Sequence, residues 1–210
     1  MPAHRLVLDL ALTVRHDGKG GVADDLDGAD GLARWVAAHS DELAEAGAPL
    51  DPFAADADAL AAVRALRQAV RALFARAVRP GPPSPADAQR LLPDAEALDR
   101  LAAAAARVPV APRLTWPESA APEITYAPTA PAPPADLLVA ALARTATVFL
   151  ASDDRTRLRA CHAPRCVRYF LKEHPRQEWC KPSCGNRARV ARHHDRHRTE
   201  NAQGTSSRTA

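Results

Sequence analysis

All four cysteines of the chain lie after residue 160, in two closely spaced pairs. Cys161 and Cys166 form a C-x4-C pair, and Cys180 and Cys184 form a C-x3-C pair after thirteen intervening residues. Each pair can supply two sulfur atoms from one tight turn, and the segment between them can bring the second turn opposite the first. This spacing predicts a four-thiolate metal site with all four cysteines as ligands.

Zinc is the predicted metal, at one Zn2+ per chain, because soft thiolates in a tetrahedral arrangement suit zinc or an iron–sulfur cluster. A closed set of four cysteines leaves no position for water or substrate, which predicts a structural site. An iron–sulfur cluster, two disulfides and free thiols are the alternatives. The N-terminal residues do not resemble a signal peptide, so we expect a cytoplasmic protein, in which disulfides are disfavoured.

Charge is distributed unevenly along the chain. The net charge is only +3, but residues 1–154 hold 14 Lys/Arg against 21 Asp/Glu, whereas residues 155–198 hold 13 Lys/Arg against 3 Asp/Glu. An acidic body of charge −7 therefore precedes a basic segment of charge +10 that contains the cysteines. Such a segment favours a polyanionic partner, and DNA is the predicted one.

Composition and periodicity predict a mainly α protein with small β elements. Aromatic residues make up 4% of the chain, so Leu, Val and Ala on helices are expected to form the core. No stretch approaches the length of a membrane span, and no membrane association is expected. We expect a mainly helical N-terminal domain over 1–154, a treble-clef-like zinc finger over 155–198 and a disordered tail over 199–210.

Local patterns place the elements of the N-terminal domain. Leu6, Leu8 and Leu10 alternate and predict a strand over 5–14. The glycines at 18–21 lack the pattern of a phosphate-binding loop and predict a turn. The proline-rich segment 108–134 predicts either a hairpin of 113–116 with 123–126 or a linker. Helical patterns cover residues 30–46, a long segment from Asp56 or Asp58 to Pro80, a segment from Ser84 through Leu92, and residues 94–107 and 135–152.

Within the finger, residues 167–171 and 178–180 are rich in strand formers and predict a short hairpin between the cysteine pairs. The pattern becomes helical from near Gly185 to about residue 198. A thiolate at the start of a helix is stabilised by the exposed N–H groups there. A small apolar core that needs the metal to fold is expected from Phe170, Trp179 and Val190.

The finger resembles the CGNR zinc finger family in its four cysteines, Phe170, Trp179 and the tetrapeptide Cys184-Gly-Asn-Arg187. The N-terminal domain resembles the ABATE domain, the usual companion of that finger, in Leu8-Asp9 with Thr13, Trp35, Leu66-Arg67 and Leu73-Phe74. The resemblance implies zinc binding and a role as a bacterial, stress-induced transcription regulator. The chain departs from the family pattern at Leu12 and Lys172, and at Gln177 and Glu178, which replace an arginine pair.

The basic helix is the predicted DNA-binding surface. Arg189, Arg192 and Arg196 recur at i, i+3 and i+7 and share one face, with Arg187 and Arg198 on the adjoining side. These five arginines are predicted to contact a phosphate backbone or to enter a major groove. A solvated basic helix is one alternative. The other is a protein-interaction module in which the basic finger docks an acidic protein partner.

Several residues have two interpretations. Arg187 can neutralise the zinc–thiolate centre or bind phosphate. Gly185 is expected to allow a tight turn, and Asn186 to cap the helix or to bond near a ligand sulfur. The alternative metal ligands are His162 and His174, although four cysteines already complete the set.

No sequence pattern of an enzyme occurs, so a non-enzymatic protein is expected. Asp9 is the best candidate for a polar role in a ligand pocket of the N-terminal domain, and a satisfied structural carboxylate is the alternative. A small-molecule ligand or a protein partner of that domain fits a regulator.

Overall fold

The computed structural model describes residues 2–19 and 21–206, apart from the side chains of residues 2–4, 195 and 197–206. The described part contains seven α-helices, one short 3-10 helix (Asp153–Arg157) and three two-stranded antiparallel sheets, which confirms the mainly α fold class. The helices are α1 (Pro2–Leu12), α2 (Ala29–Ala38), α3 (Ser40–Glu45), α4 (Ala57–Ala77), α5 (Asp94–Ala106), α6 (Pro134–Ala151) and α7 (Pro182–Ser206). The strands are β1 (Val14–His16), β2 (Val22–Asp24), β3 (Val110–Thr115), β4 (Glu123–Pro128), β5 (Leu158–Ala160) and β6 (Tyr169–Leu171).

The helix α4 is the centre of the N-terminal body. The Asp56 carboxylate caps its first turn by accepting a hydrogen bond from the Ala59 N–H at 2.7 Å. The helices α1, α5 and α6 pack against α4, and their apolar side chains form one core. The large side chains that are fully buried in this core include Leu6, Leu10, Phe74, Leu138, Leu142 and Phe149.

The helix α6 departs from one expectation. It has 18 residues with a mean hydropathy of 1.5, and among the described residues it is the one helix long and apolar enough to cross a membrane. By length and composition, the prediction that no stretch approaches a membrane span is therefore wrong. In the fold, Leu138, Leu142 and Phe149 of this helix are fully buried in the body core.

The predicted strand over 5–14 is wrong, because residues 2–12 form α1. Leu6, Val7, Leu10 and Ala11 are all fully buried, and this i, i+1, i+4, i+5 pattern is the apolar stripe of a helix. The alternation of three leucines was compatible with either period. After α1, the hairpin of β1 and β2 turns at Gly18, whose φ of 87° confirms the predicted turn.

The predicted helix from Ser84 through Leu92 is wrong, since residues 85–90 form turns and Ser84, Leu91 and Leu92 are irregular. Ser84 and Asp87 are buried, and their side chains bond to distant parts of the chain. The Ser84 hydroxyl donates to the Val167 carbonyl at 2.8 Å, and the Asp87 carboxylate accepts from Arg71 on α4. These tertiary bonds replace the local cap that the sequence favours.

The other predicted elements of the body are confirmed with changed boundaries. Residues 30–46 form two helices rather than one, because the chain bends at His39, where the ring Nδ1 bonds to the Trp35 carbonyl at 2.8 Å. The strands β3 and β4 pair with Leu114 opposite Ile124, so the hairpin in the proline-rich segment is confirmed and the linker is not.

The finger begins with a hairpin that packs into the body. The strand β6 pairs with β5, with Arg159 opposite Phe170, so the predicted pairing of 167–171 with 178–180 is wrong. Tyr169 of β6 is buried in the body core, and its ring lies edge-on to Phe74 at 5.5 Å between centroids. Finger and body therefore share one core through this tyrosine.

A buried polar network completes this junction. The Tyr169 hydroxyl donates to the Asp87 carboxylate at 2.7 Å, and Arg71 donates to both oxygens of Asp87 at 2.8 and 3.0 Å. The Arg71 guanidinium also lies 5.3 Å from the centre of the Tyr169 ring. Burial and then the charge of Asp87 raise the pKa of Tyr169, which keeps its hydroxyl protonated as a donor.

Replacing Tyr169 by Phe is expected to keep the ring packing and remove its hydrogen bond to Asp87. A hydrogen bond to a charged group contributes about 1.5–3 kcal/mol, and we expect the free energy of unfolding to fall by that amount in urea titrations. The control is Tyr126→Phe on β4, where the side chain is exposed and a change below about 0.5 kcal/mol is expected. Equal midpoints for Tyr169→Phe and the wild type would contradict the anchoring role.

Asp9 has partners within the body. Its carboxylate lies 3.6 Å from His39 Nε2 and 3.5 Å from Arg5 Nε. The interaction with the Asp9 carboxylate, opposed by desolvation, raises the pKa of His39. These contacts support the structural interpretation of Asp9 over a ligand-binding one.

A pH dependence follows from the raised pKa of His39. Because an unfolded histidine titrates at about 6.5, the Asp9–His39 pair stabilises the fold fully below that pH, and the stabilisation is lost as the pH rises through the raised pKa. We expect Asp9→Asn to lower the pKa of His39 in an NMR titration of the ring. The control is Asp99→Asn, at an exposed position. An unchanged pKa of His39 in Asp9→Asn would exclude the Asp9–His39 pair.

Candidate functional site

The first cysteine pair lies on the turn that joins β5 to β6. The Cys161 N–H donates to the Arg168 carbonyl at 2.9 Å, and the Cys166 N–H donates to the Ala163 carbonyl at 2.9 Å. Between the two cysteines, Arg165 has a φ of 64°, in the left-handed region that non-glycine residues rarely adopt. This tight turn places both sulfur atoms on the same side of the knuckle.

The second cysteine pair spans the start of α7. This helix begins at Pro182 rather than near Gly185, and proline suits a first helical position because its missing N–H has no helical partner there. Cys184 lies in the first turn of this helix. The helix continues to Ser206, so the predicted disordered tail is helical over 199–206. Residues 207–210 lie outside the described residues.

The four sulfur atoms have the spacing of a tetrahedral zinc site. They all lie within 4.8 Å of one another, with 3.7 Å between the Sγ atoms of Cys166 and Cys180 and 3.5 Å between those of Cys180 and Cys184. In a tetrahedral site with Zn–S bonds of about 2.3 Å, the sulfur atoms lie about 3.8 Å apart, whereas the S–S bond of a disulfide is about 2.05 Å long. All four cysteines are free, so the residues fit one structural Zn2+ and not two disulfides.

Without a cation, the crowded thiols compete for protons. Hydrogen bonds from Cys166 and then Cys180 lower the pKa of Cys161 to about 2. The hydrogen bond to Cys161 raises the pKa of Cys166 to about 11, and contacts with Cys161 and Cys166 raise that of Cys180 further. The protein groups alone thus favour a thiolate at Cys161, and a bound dication would favour ionisation of Cys166 and Cys180 as well.

Arg187 supplies positive charge to the cluster. Its guanidinium Nη2 donates to the Cys184 Sγ at 3.1 Å, and the residue is half-buried. A zinc ion with four thiolates carries a charge of −2, and an arginine bonded to one sulfur offsets part of it. Of the two interpretations of Arg187, this contact supports the neutralising one.

The glycine of the tetrapeptide makes room for Trp179. Gly185 lies within the first turns of α7, and a Cβ atom there would come within 3.0 Å of the Trp179 indole Cδ1. The expectation that Gly185 forms a tight turn is therefore wrong; its missing side chain lets the indole cover the helix start. Asn186 neither caps the helix nor bonds to sulfur, because its exposed side chain accepts from Arg189.

The remaining candidates near the metal have other roles. His162 and His174 are exposed, and the group of potential ligands that the structure describes contains only the four cysteines. Gln177 accepts from the Glu173 N–H at 2.7 Å and donates to the Trp179 carbonyl at 3.2 Å, so it braces the loop before Cys180. Phe170 and Trp179 pack against the cysteines as predicted, whereas Val190 is 56% exposed and does not belong to that core.

The basic residues of α7 divide between two sides of the helix. Arg189, Arg192 and Arg196 are exposed and line one shallow groove together with His193. At 100° per residue they lie about 140–200° around the helix from Arg187, so Arg187 is separated from the face that it was predicted to adjoin. The side chain of Arg198 lies outside the described residues.

Three further basic residues, Arg165, Arg168 and Lys181, were not predicted from the sequence to belong to a site. In the structure these residues line a cleft with Arg187. The charge of +10 over residues 155–198 could have indicated this second basic surface, because it exceeds the net charge of α7 alone.

Metal analysis is expected to find about one zinc per chain, lost in Cys180→Ser and in Cys184→Ser because three thiolates no longer close the tetrahedron. The control is His162→Ala, which should retain zinc since this exposed residue neighbours a ligand without being one. A wild-type chain that keeps its fold and contains no metal, or zinc loss in His162→Ala, would refute this ligand set.

Comparison with known families agrees with this geometry. Residues 157–197 match the CGNR zinc finger family. Residues 4–153 match ABATE, described as "Putative stress-induced transcription regulator", and this match covers more than half of the chain. No curated protein matches the sequence. The chain belongs to the ABATE family and carries a CGNR zinc finger at residues 157–197.

Proposed function

We propose that this protein is a non-enzymatic transcription regulator of the reducing cytoplasm that binds duplex DNA through one face of α7. The observation that carries the proposal is the common exposure of Arg189, Arg192 and Arg196 on a helix whose first turn holds a zinc ligand. The four free cysteines fit a reducing compartment, because thiolate zinc sites require reduced sulfur.

The dimensions of this face fit a DNA groove. At 1.5 Å per residue, Arg189 and Arg196 lie about 10 Å apart along the helix axis. A helix of about 10–12 Å diameter enters the major groove, which is about 12 Å wide, and arginines at its edges reach phosphates on either side. The guanidinium of Arg187 bonds to a sulfur instead, so it does not belong to this surface.

Rigid attachment favours binding by this helix. The cysteines and Trp179 fix its start, and Tyr169 anchors the finger in the body core. A helix that is already ordered loses less conformational entropy on binding than a flexible basic segment would. The acidic body repels the phosphate backbone, which favours approach from the finger side.

The body offers a place for a regulatory small molecule. An open cleft of about 1000 Å3 lies beside α4 and is lined by Arg64, Arg67 and Gln68. Arg67 is held in place by Asp24, with bonds of 2.5 and 2.6 Å to the two carboxylate oxygens, and by the Thr13 hydroxyl at 2.8 Å. Polar groups held at fixed positions in a cleft are typical of ligand sites.

The DNA proposal is tested with the triple variant Arg189→Ala, Arg192→Ala, Arg196→Ala. Each phosphate contact contributes about 0.9 to the slope of log affinity against log salt, so the triple variant should lower that slope by about 2–3. The measurement is fluorescence anisotropy of labelled duplex DNA over a salt series, with zinc content verified in each protein.

The matched control removes three exposed arginines of the body, in Arg34→Ala, Arg90→Ala, Arg113→Ala. It changes the net charge equally and is expected to preserve the slope. If the slope falls equally in both triple variants, the effect comes from the change in net charge and not from the Arg189 face of α7. Absence of DNA binding by the wild type at low salt would overturn the proposal and favour a basic finger that docks an acidic protein.

A further inference from the structure

A second basic surface lies where the β1–β2 hairpin of the body faces the first knuckle of the finger. Arg15 and His16 of β1 line a cleft of about 280 Å3 there, together with Arg165, Arg168, Lys181 and Arg187 of the finger. We propose that this cleft is a binding site for a small oxyanion of the phosphate class, held between the two parts of the protein.

The first observation is a buried donor on His16. The Gly18 N–H donates to His16 Nδ1 at 2.8 Å, so Nδ1 acts as an acceptor and carries no proton. The hydrogen of the ring is then on Nε2, which is buried and has no hydrogen-bond partner among the described residues. Buried donors in folded proteins nearly always have a partner, and an acceptor in the cleft would supply it.

The second observation is a buried donor on Arg187. One edge of its guanidinium is occupied, because Nη2 donates to the Cys184 sulfur at 3.1 Å. Its Nε–H is buried and has no partner among the described residues. Both unpartnered donors therefore belong to residues that line the same cleft, one from the body and one from the finger.

The third observation is the charge of the lining. Five of the residues that line the cleft are arginine or lysine, and none of the described lining residues is acidic. Arg15 is bonded to Asp25 at 2.5 Å, whereas Arg165, Arg168 and Lys181 have no ion pair within the described part of the chain. Cations gathered around a cleft repel one another unless an anion lies between them.

These observations define the class of ligand. Donors without acceptors, together with uncompensated positive charge, select an oxyanion, and arginine matches phosphate oxygens in geometry. A volume of about 280 Å3 suits an anion of the size of phosphate with a few waters rather than a large organic ligand. The cleft lies on the Arg187 side of α7, so duplex DNA on the Arg189 face does not supply its ligand.

The test uses the 210-residue zinc protein with inorganic phosphate as the probe, in calorimetric titrations at constant ionic strength with chloride as the reference anion. The cleft variant is Arg165→Asn with Arg168→Gln, since asparagine tolerates a positive φ and neither change touches the Arg187–sulfur contact. The matched control is Arg189→Gln with Arg192→Gln, which removes the same charge from the other side of α7.

One phosphate per chain is expected to bind saturably, with affinity at least about tenfold lower in the cleft variant and unchanged in the control. A second variant, His16→Phe, removes the buried Nε2 donor from the body side and should also weaken binding. Zinc content verifies that each variant has folded. Phosphate binding no stronger than chloride binding, or equal weakening in cleft and control variants, overturns the proposal.

A competition experiment distinguishes the source of the phosphate. Saturating duplex DNA is expected to leave the phosphate affinity unchanged at equal ionic strength, because the two surfaces lie on different sides of α7. Displacement of phosphate by DNA would overturn the small-oxyanion site and assign the cleft to the DNA backbone. The phosphate titration itself does not depend on the proposal that α7 binds DNA, since it is measured without DNA.

Discussion

The buried ion pair between Arg71 and Asp87 is the interaction on which the arrangement of body and finger depends. Asp87 accepts from the Tyr169 hydroxyl, and Arg71 also donates to the Ala11 carbonyl at 2.6 Å. A buried pair becomes favourable only when its remaining polar atoms are hydrogen-bonded, and these groups meet that requirement. Because four separate parts of the chain meet at this pair, the finger hairpin cannot leave the body without exposing the core and removing a hydrogen-bond donor from the buried Asp87 carboxylate.

The zinc cluster organises the finger from the opposite end. Its two cysteine pairs join the knuckle after β5 to the first turn of α7, so the direction of the helix is set by coordination rather than by a large apolar core. Arg187 and the indole of Trp179 then occupy the space beside the sulfurs. With these groups turned inward, the Arg189 side of the helix is left free for a partner.

The features that the sequence predicts correctly have local determinants. Cysteine spacing predicts the metal cluster, because each pair acts within one turn. Local patterns gave the wrong element where distant residues decide the structure. Ser84 and Asp87 have the pattern of a helix start, yet their side chains bond to residues more than 80 positions away. The alternation of Leu6, Leu8 and Leu10 fits both periods, and only the burial of Val7 and Ala11 distinguishes a helix from a strand. The role of Gly185 depends on the position of one indole ring.

The two basic surfaces have different physical consequences. The Arg189 face is exposed, so its attraction to an anion is screened by salt within about 10 Å at 0.1 M. In the cleft, His16 Nε2 and Arg187 Nε are shielded from water, so an oxyanion there interacts in a lower dielectric and is screened less. An anion in the cleft would also offset the repulsion among Arg165, Arg168 and Lys181, which have no ion pair within the described part of the chain. Because residues of both the body and the finger line the cleft, such binding would stabilise the contact between them and with it the position of α7 relative to the body.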